Sequence, residues 1–595
     1  MMKYSVFTIK KMLIGLYCIG LGCIFSLQSQ SRPNVILVLT DDQGIGDLGA
    51  HGNKWLKTPE IDAFYNDAVR MTNFHVSPLC TPTRAAIMTG KYPISNGAWA
   101  TYKGRDALSD PVTMADVFKK NGYKTALFGK WHLGDNYPNR PTDSGFDTAI
   151  HHLAGGIGEL SDYWGNDYFD DVYYVNNEPK QFKGYCTDVW FNETINFIKN
   201  NKDQPFFVYL PLNAPHDPLY VDEKYAAPYK HLEGKEIVSA NLYGMIANID
   251  HDFGKLTKFL KAEKLEKNTI VIFMSDNGTR YGYQEADNLG YNKGYSGIKG
   301  SKQEGGHRVP FFIRYPEARI NGGKDNNTLA AHIDLIPTLA SLCKLDTPDT
   351  LSLEGVDFSP VLKNTDAILK DRTLFLHNRQ DWRPPRQESD GLVLRNEWRL
   401  LQGKELYNVV TDPKQKKNIA KEHPQLVKDL QSENATFYTS ALGNDVINEI
   451  PVAIIGTEHQ KEIKLTIQHA IGDDNGIWKT EQVAGGVKNK NNTHAIEVAK
   501  EGMYTISCMR WSKEVPGPIL GVPSKFPKSN FEYVSISPDK VRLRIANQIF
   551  EKTINPNDQS IDFKMFLEKG KTFMVADFIS ATETYGVYYI YINKI

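Results

Sequence analysis

The sequence predicts an α/β fold, a mostly parallel sheet covered on both faces by helices, followed by a small α+β subdomain and then by an antiparallel β-sandwich of its own. Three observations carry this. Short apolar runs with almost no polar positions, residues 35–39, PFFVYLP and TIVIFMS, alternate with helical patterns such as IDAFYNDAV, MADVFKKNGY and LTKFLKAEKL. Strands that are apolar on both faces belong to sheets covered twice, and their alternation with helices makes such sheets mostly parallel. From about residue 365 the texture changes to short strands (RTLFLHN, GLVLRNEWRLLQG, ELYNVVTDP) and one helical stretch. Beyond residue 445, runs such as KEIKLTIQHA and KVRLRIANQIF alternate with period two between Gly, Asn and Pro clusters, as half-buried antiparallel strands do.

Taken in order, residues 1–31 read as a secretory signal peptide: Lys3, Lys10 and Lys11 precede the apolar run MLIGLYCIGLGCIF, and small and polar residues follow. That run is shorter than the roughly 20 residues a spanning helix needs, so export to the periplasm or beyond is expected, with no membrane span. Cys23 follows Leu21 and Gly22, faintly similar to a lipoprotein cleavage box, but Gly20 stands where a larger aliphatic is usual, which counts against a lipid anchor. Residues 32–364 form the α/β unit, 365–445 the α+β subdomain and 446–595 the sandwich. At 595 residues the chain exceeds a single core. A net charge of −1 gives no electrostatic reason to expect a nucleic-acid partner. Outside the signal only Cys80, Cys186, Cys343 and Cys508 remain, without close spacing, which argues against a disulfide framework or a zinc site.

Chemistry-bearing residues recur at the ends of the apolar runs, where α/β sheets bind ligands: Asp41 and Asp42 after one, Lys130 and His132 after another, His216 after a third, Asp276 and Asn277 after a fourth. Three carboxylates and an amide offer only oxygen and select a hard cation, calcium more readily than magnesium. Each pair alone is more often a turn or a helix cap. Cys80, Pro82 and Arg84 stand in C-x-P-x-R spacing ahead of an M-T-G turn. By itself Cys80 would read as a buried structural cysteine.

In this company the pattern resembles the sulfatase family, whose motifs are matched by CTPTR, GKWHLG, NAPHDP, IKGSKQEGGHRVP and the closing ELYNVVTDP segment, over roughly residues 33–445. The resemblance implies an alkaline-phosphatase-like sheet. It also implies that a formylglycine-generating enzyme converts Cys80 to formylglycine (3-oxoalanine), and that one calcium ion is held by Asp41, Asp42, Asp276 and Asn277 with the oxidised residue 80 beside them. The hydrated aldehyde would attack sulfur, held by Arg84 and Lys130, and His132 would later take its proton. Lys299 and His216 would face the sulfate and the bridging oxygen, His216 being the expected acid for the leaving alcohol. Such a site needs cationic donors around the sulfate oxygens, a nucleophile in line and an acid for the alcohol, and a covalent route divides one hard step into two. Departures are few. Thr81 and Thr83 stand where serines are commoner, and His307 interrupts EGG-x-RVP where an aliphatic is common. Lys302 lies three residues after Lys299, but the spacing to EGG favours Lys299.

The expected activity is hydrolysis of sulfate esters, with a sulfated carbohydrate as the substrate class. A phosphomonoester or phosphodiester hydrolase of the same superfamily is the nearest rival, but a second metal would need His and Asp ligands that are not found at the expected places, and Asp276–Asn277 replaces a D-H pair. A non-catalytic exported glycan-binding protein would be expected to lose Cys80 or the acids. Specificity candidates lie in aromatic and basic loops: Trp99, Tyr102 and Arg105 after the nucleophile, His151 and His152, Tyr163 and Trp164, and His377, Arg379 and Trp382. Trp478 and Trp511 in the tail raise the alternative of a carbohydrate-binding module, although aromatics in sandwiches are more often core.

Overall fold

The structure, a computed structural model, describes residues 32–109, 112–348, 350–364, 366–442, 449–474, 476–489, 492–525 and 531–595. The expected signal peptide, with Cys18 and Cys23, and the expected boundary at residue 445 lie outside these residues.

The strand Asn34–Thr40 is buried along its whole length and lies between Phe206–Pro211 and Thr269–Ser275, parallel to both. Its side chains alternate between two cores. Val35, Leu37 and Leu39 pack with one, beside residues of the helices Met114–Lys120 and Leu335–Cys343; Ile36 and Val38 pack with the other, beside residues of Cys186–Asn201 and Ala240–Ala262. Burial on both faces is why the strand carries no alternating polar residues, each large aliphatic contributing about 1.5–3 kcal/mol. The parallel set continues through Lys124–Lys130 and Thr148–His152. Antiparallel strands flank it, Phe311–Arg314 beside Thr269–Ser275 and Val172–Val175 beside Thr148–His152, within a ten-stranded sheet. Thr40, Lys130, Pro211 and Ser275 therefore end at one edge.

A four-stranded antiparallel sheet follows, from Thr373–His377 to Glu405–Asn408, with the helix Pro424–Leu442 against it. The last part of the chain forms two further sheets, of six and four strands, which share one core containing Ile496, Leu543 and Phe578 of one and Ile506, Phe563 and Ile590 of the other. Their pairings are antiparallel except at one edge, where Ala453–Ile455 runs parallel to Thr493–Val498. Trp511 is fully buried in this core, beneath the Arg510 guanidinium and edge-on to Trp164.

Candidate active site

Cys80 opens the helix Cys80–Thr89, whose residues are all buried. Thr83 Oγ1 donates to the carbonyl of Ser77 at 2.9 Å and Thr81 Oγ1 to that of His132 at 3.2 Å. The two threonines thus use the hydroxyl that a serine would have supplied; Thr81 ties the helix start to the loop after Lys130, and Thr83 closes it on the preceding Ser77. The Cys80 thiol is 2% exposed, points at Asp41 Oδ1 at 3.4 Å, and has its pKa pushed up by burial and then by Asp41.

Asp41 accepts from Lys130 Nζ at 2.6 Å. Arg84 donates twice to Asp276 Oδ2, from Nε at 3.1 Å and Nη2 at 2.8 Å, and once to the carbonyl of Lys130. Asp42, in a left-handed turn at φ 64°, accepts from Asn277 Nδ2 at 2.7 Å and from Lys299 Nζ at 2.7 Å. Burial pushes the Asp42 carboxyl upward, but Lys299 and then His216 outweigh it and hold the group far down; burial and then Asp41 raise Asp276 to about 6. His216 donates Nδ1–H to the carbonyl of Asp217 at 2.7 Å, which turns Nε2 toward Asp42 at 3.8 Å; burial and then Lys299 lower its pKa to about 4. His132 donates Nε2–H to the Thr101 carbonyl at 3.2 Å, leaving buried Nδ1 without a partner, and burial and then Lys130 hold it well below its usual range. Gly155 covers that ring: a Cβ there would stand 2.6 Å from His132 Cε1.

Three carboxylates thus face Arg84, Lys130 and Lys299, a balanced set in which all but Lys299 are buried. The donor chemistry fits a hard cation. Ligand atoms of Asp41, Asp42, Cys80 and His216 lie within 4.8 Å of one another, a group that does not include Asp276, whose oxygens accept from Arg84 and from Asp42 N–H; Asn277 Oδ1 is buried with no hydrogen-bond partner. A second cluster, His75, Glu304 and His307, does not fit one. Arg399 and Arg308 occupy the two oxygens of Glu304 at 2.6 and 2.8 Å, and the two imidazoles meet each other at 3.0 Å. His307 is buried there, bonded to His75 and to the Lys302 carbonyl, and does not line the cleft over Cys80 described below.

A cleft of about 740 Å³, within the usual size of ligand sites, opens over Cys80, His132, His216 and Lys299. Its outer walls carry Tyr102, Trp164, Arg280, Gln380, Gln468 and Trp478. Of the residues read as specificity candidates, Tyr102 and Trp164 border it, whereas Trp99, Arg105, His152, Arg379 and Trp382 do not. Trp99 is buried beneath the Arg105 guanidinium, 4.0 Å from its ring, and donates to the Asp381 carbonyl; Arg105 donates to the carbonyl of Trp382 at 3.0 Å. Trp382 donates to Asp473, Arg379 donates to the Pro384 carbonyl, and His152 is fully buried with Nδ1–H on the carbonyl of Leu153. These residues staple loops together. Gln468 and Arg280, which do line the cleft, were not singled out in the sequence, and Gln380 lies in the same loop as His377, Arg379 and Trp382; Trp478 was marked only, with Trp511, as a tail tryptophan of a carbohydrate-binding module.

A profile described as Sulfatase matches residues 33–345. N-acetylgalactosamine-6-sulfatase of Canis lupus familiaris is 29% identical over 394 residues, 62% of this chain and 72% of that one. Steryl-sulfatase of Homo sapiens is 27% identical over 451 residues, 60% and 75% of the two chains. The crystal structure of Ps i-CgsB in complex with k-i-k-neocarrahexaose superposes with a TM-score of 0.63 at 27% identity, covering 70% of this chain and 95% of its own. Since the profile spans more than half of the 595 residues, the chain belongs to the sulfatase family of the alkaline-phosphatase superfamily, the enzymes that hydrolyse sulfate esters.

Proposed function

We propose that this sulfatase removes sulfate from a sulfated carbohydrate, with formylglycine at position 80 and one calcium ion on Asp41, Asp42, Asp276 and Asn277. The observation that carries the chemistry is the convergence of Cys80, three carboxylates and three cationic side chains at one sheet edge, under a cleft. The oxidised residue would supply the nucleophile and the cation would draw charge from the sulfate. The remaining work belongs to side chains. Arg84 and Lys130 fix Asp276 and Asp41 and hold residue 80 in place; Lys299 binds a sulfate oxygen; His132 Nδ1, unpartnered, is the acceptor for a proton from residue 80. His216 offers Nε2 to the bridging oxygen. It is neutral in the bare protein, and an anionic ester seated against it favours the imidazolium that can protonate a sugar alkoxide.

The carbohydrate class is favoured by the cleft's outer walls, where Tyr102 and Trp478 stand beside Asn166, Gln380 and Gln468; a sterol sulfate would be better served by an apolar passage. The names of relatives point both ways, to N-acetylgalactosamine-6-sulfatase and to steryl-sulfatase, while the complex with neocarrahexaose is saccharide-bound. Export, with a formylglycine-generating enzyme as maturation partner, completes the proposal; no helix among the described residues is long and apolar enough to cross a membrane.

The test is desulfation of a panel of sulfated oligosaccharides and a steroid sulfate by protein co-expressed with a formylglycine-generating enzyme, read alongside peptide mass spectrometry of residue 80. Saccharide turnover with an aldehyde at residue 80, lost in Cys80→Ala, is expected. Full activity with an unmodified thiol would overturn the nucleophile, and preference for the steroid sulfate would overturn the substrate class.

A further inference from the structure

The C-terminal sheets do not merely adjoin the catalytic unit; a segment between two of their strands brings Gln468, Trp478, Lys479, Thr480 and Glu481 to the cleft. It docks on the loop that follows Thr148–His152. Glu159 forms a β-bridge with Lys479, and Leu160 N–H donates to the Trp478 carbonyl at 2.8 Å. Ser161 N–H donates to Gln468 Oε1 at 3.2 Å, and its hydroxyl meets Thr466 at 2.8 Å. Leu160 and Trp164 are buried in the core of the C-terminal sheets. Loop and segment are therefore one packed body.

That body touches the catalytic floor. Gln468 Nε2 donates to Glu159 Oε2 at 2.6 Å, the same oxygen accepts from Gly155 N–H at 3.1 Å, and Gly155 packs against the His132 ring. Above this, Trp478 is half-buried with its ring 5.9 Å from that of Tyr102, the planes 47° apart. Gly476 permits the approach, since a Cβ there would stand 3.2 Å from Tyr102 Cδ2. Both rings border the cleft, which His216, Pro218 and Tyr220 also line. A half-buried indole held by backbone bonds, tilted toward a phenol over a reacting centre, presents apolar area at little entropic cost, and amide side chains beside it supply the hydrogen bonds that a polyol needs.

We infer that Trp478, together with Tyr102, is the platform on which the sugar ring of the substrate rests, so that the C-terminal sheets supply one wall of the active-site cleft and part of its specificity. This rests on the carbohydrate reading above. It differs from a carbohydrate-binding module acting at a distance: Trp511, the other tail tryptophan, is core, and Trp478 serves the same cleft as residue 80.

Kinetics of the mature enzyme test it, with nitrophenyl sulfate as the probe without a sugar and N-acetylgalactosamine 6-sulfate and neocarrahexaose as the saccharides. Trp478→Ala is expected to raise KM for the saccharide that the wild type turns over best by about 10-fold more than it raises KM for nitrophenyl sulfate, the loss expected of a truncated aromatic anchor. Trp478→Phe restores most of that difference, and Tyr102→Ala reproduces it in smaller measure. Losses that are equal on the two kinds of substrate overturn the platform while leaving the carbohydrate reading intact. Should Trp478→Ala fail to fold, Tyr102→Ala and Trp478→Phe decide by the same ratio. A wild type that prefers the steroid sulfate and cleaves no saccharide of the panel overturns both.

Discussion

Asn277 donates Nδ2–H to Asp42 Oδ1 at 2.7 Å, which turns its own Oδ1 into the buried site with no partner to accept from. The bond fixes which end of the amide faces the carboxylates, as partners behind a ligand commonly do. Asn277→Ala should therefore weaken calcium binding by at least about 10-fold, read by chelator competition followed by elemental analysis. Unaltered calcium content at limiting metal would remove Asn277 from the ligand set.

His216 should matter more for a poor leaving group than for a good one. A nitrophenolate departs without a proton, a sugar alkoxide does not, and general acid catalysis is typically worth about 10²–10⁴-fold. The expected result for His216→Ala is a loss of kcat/KM on a sugar sulfate at least about 10-fold greater than on nitrophenyl sulfate. Equal losses would make His216 a sulfate-binding group and pass the acid role to Lys299.

His469 couples the C-terminal sheets to the catalytic unit and should make their docking sensitive to alkali. Its Nδ1 meets Asp106 at 2.7 Å and its Nε2 meets Asp135 at 3.2 Å. Burial alone would lower its pKa, but Asp106 and then Asp135 outweigh that and raise it to about 10. A histidine raised in the folded state stabilises fully below its unfolded pKa, near 6.5, and loses that contribution as pH climbs through about 10. The wild-type Tm should fall by several degrees between neutral pH and about pH 10, and His469→Gln should start lower and show a shallower decline. Parallel curves for the two proteins would contradict the linkage.

The catalytic edge was legible because its residues directly follow apolar runs: the pattern that announces a doubly covered strand also marks where it ends, and Asp41, Lys130 and Asp276 stand there. Nearness in sequence to Cys80 was a poorer guide. Trp99 and Arg105 resemble a substrate rim by composition, but stacking on each other and bonding to Asp381 and Trp382 consumes both. Trp478 could not be placed, since what makes it part of the cleft is its contact with Tyr102 and Leu160, more than three hundred residues away in the chain. His307 broke a familiar pattern for a reason visible only in three dimensions, its contact with His75.

The depth at which Cys80 lies, taken with the proposed conversion of its thiol, implies an order of events in the biosynthesis of the enzyme. Its thiol is 2% exposed, and the groups that enclose it, Asp276 and Lys299 among them, are made some two hundred residues later. On the proposed maturation, an enzyme that must seize the CTPTR segment would reach it most easily before Thr269–Ser275 pairs with Asn34–Thr40. If residue 80 is converted as proposed, the yield of competent catalyst would be a race between folding and modification, and slower translation past residue 80 should favour the second.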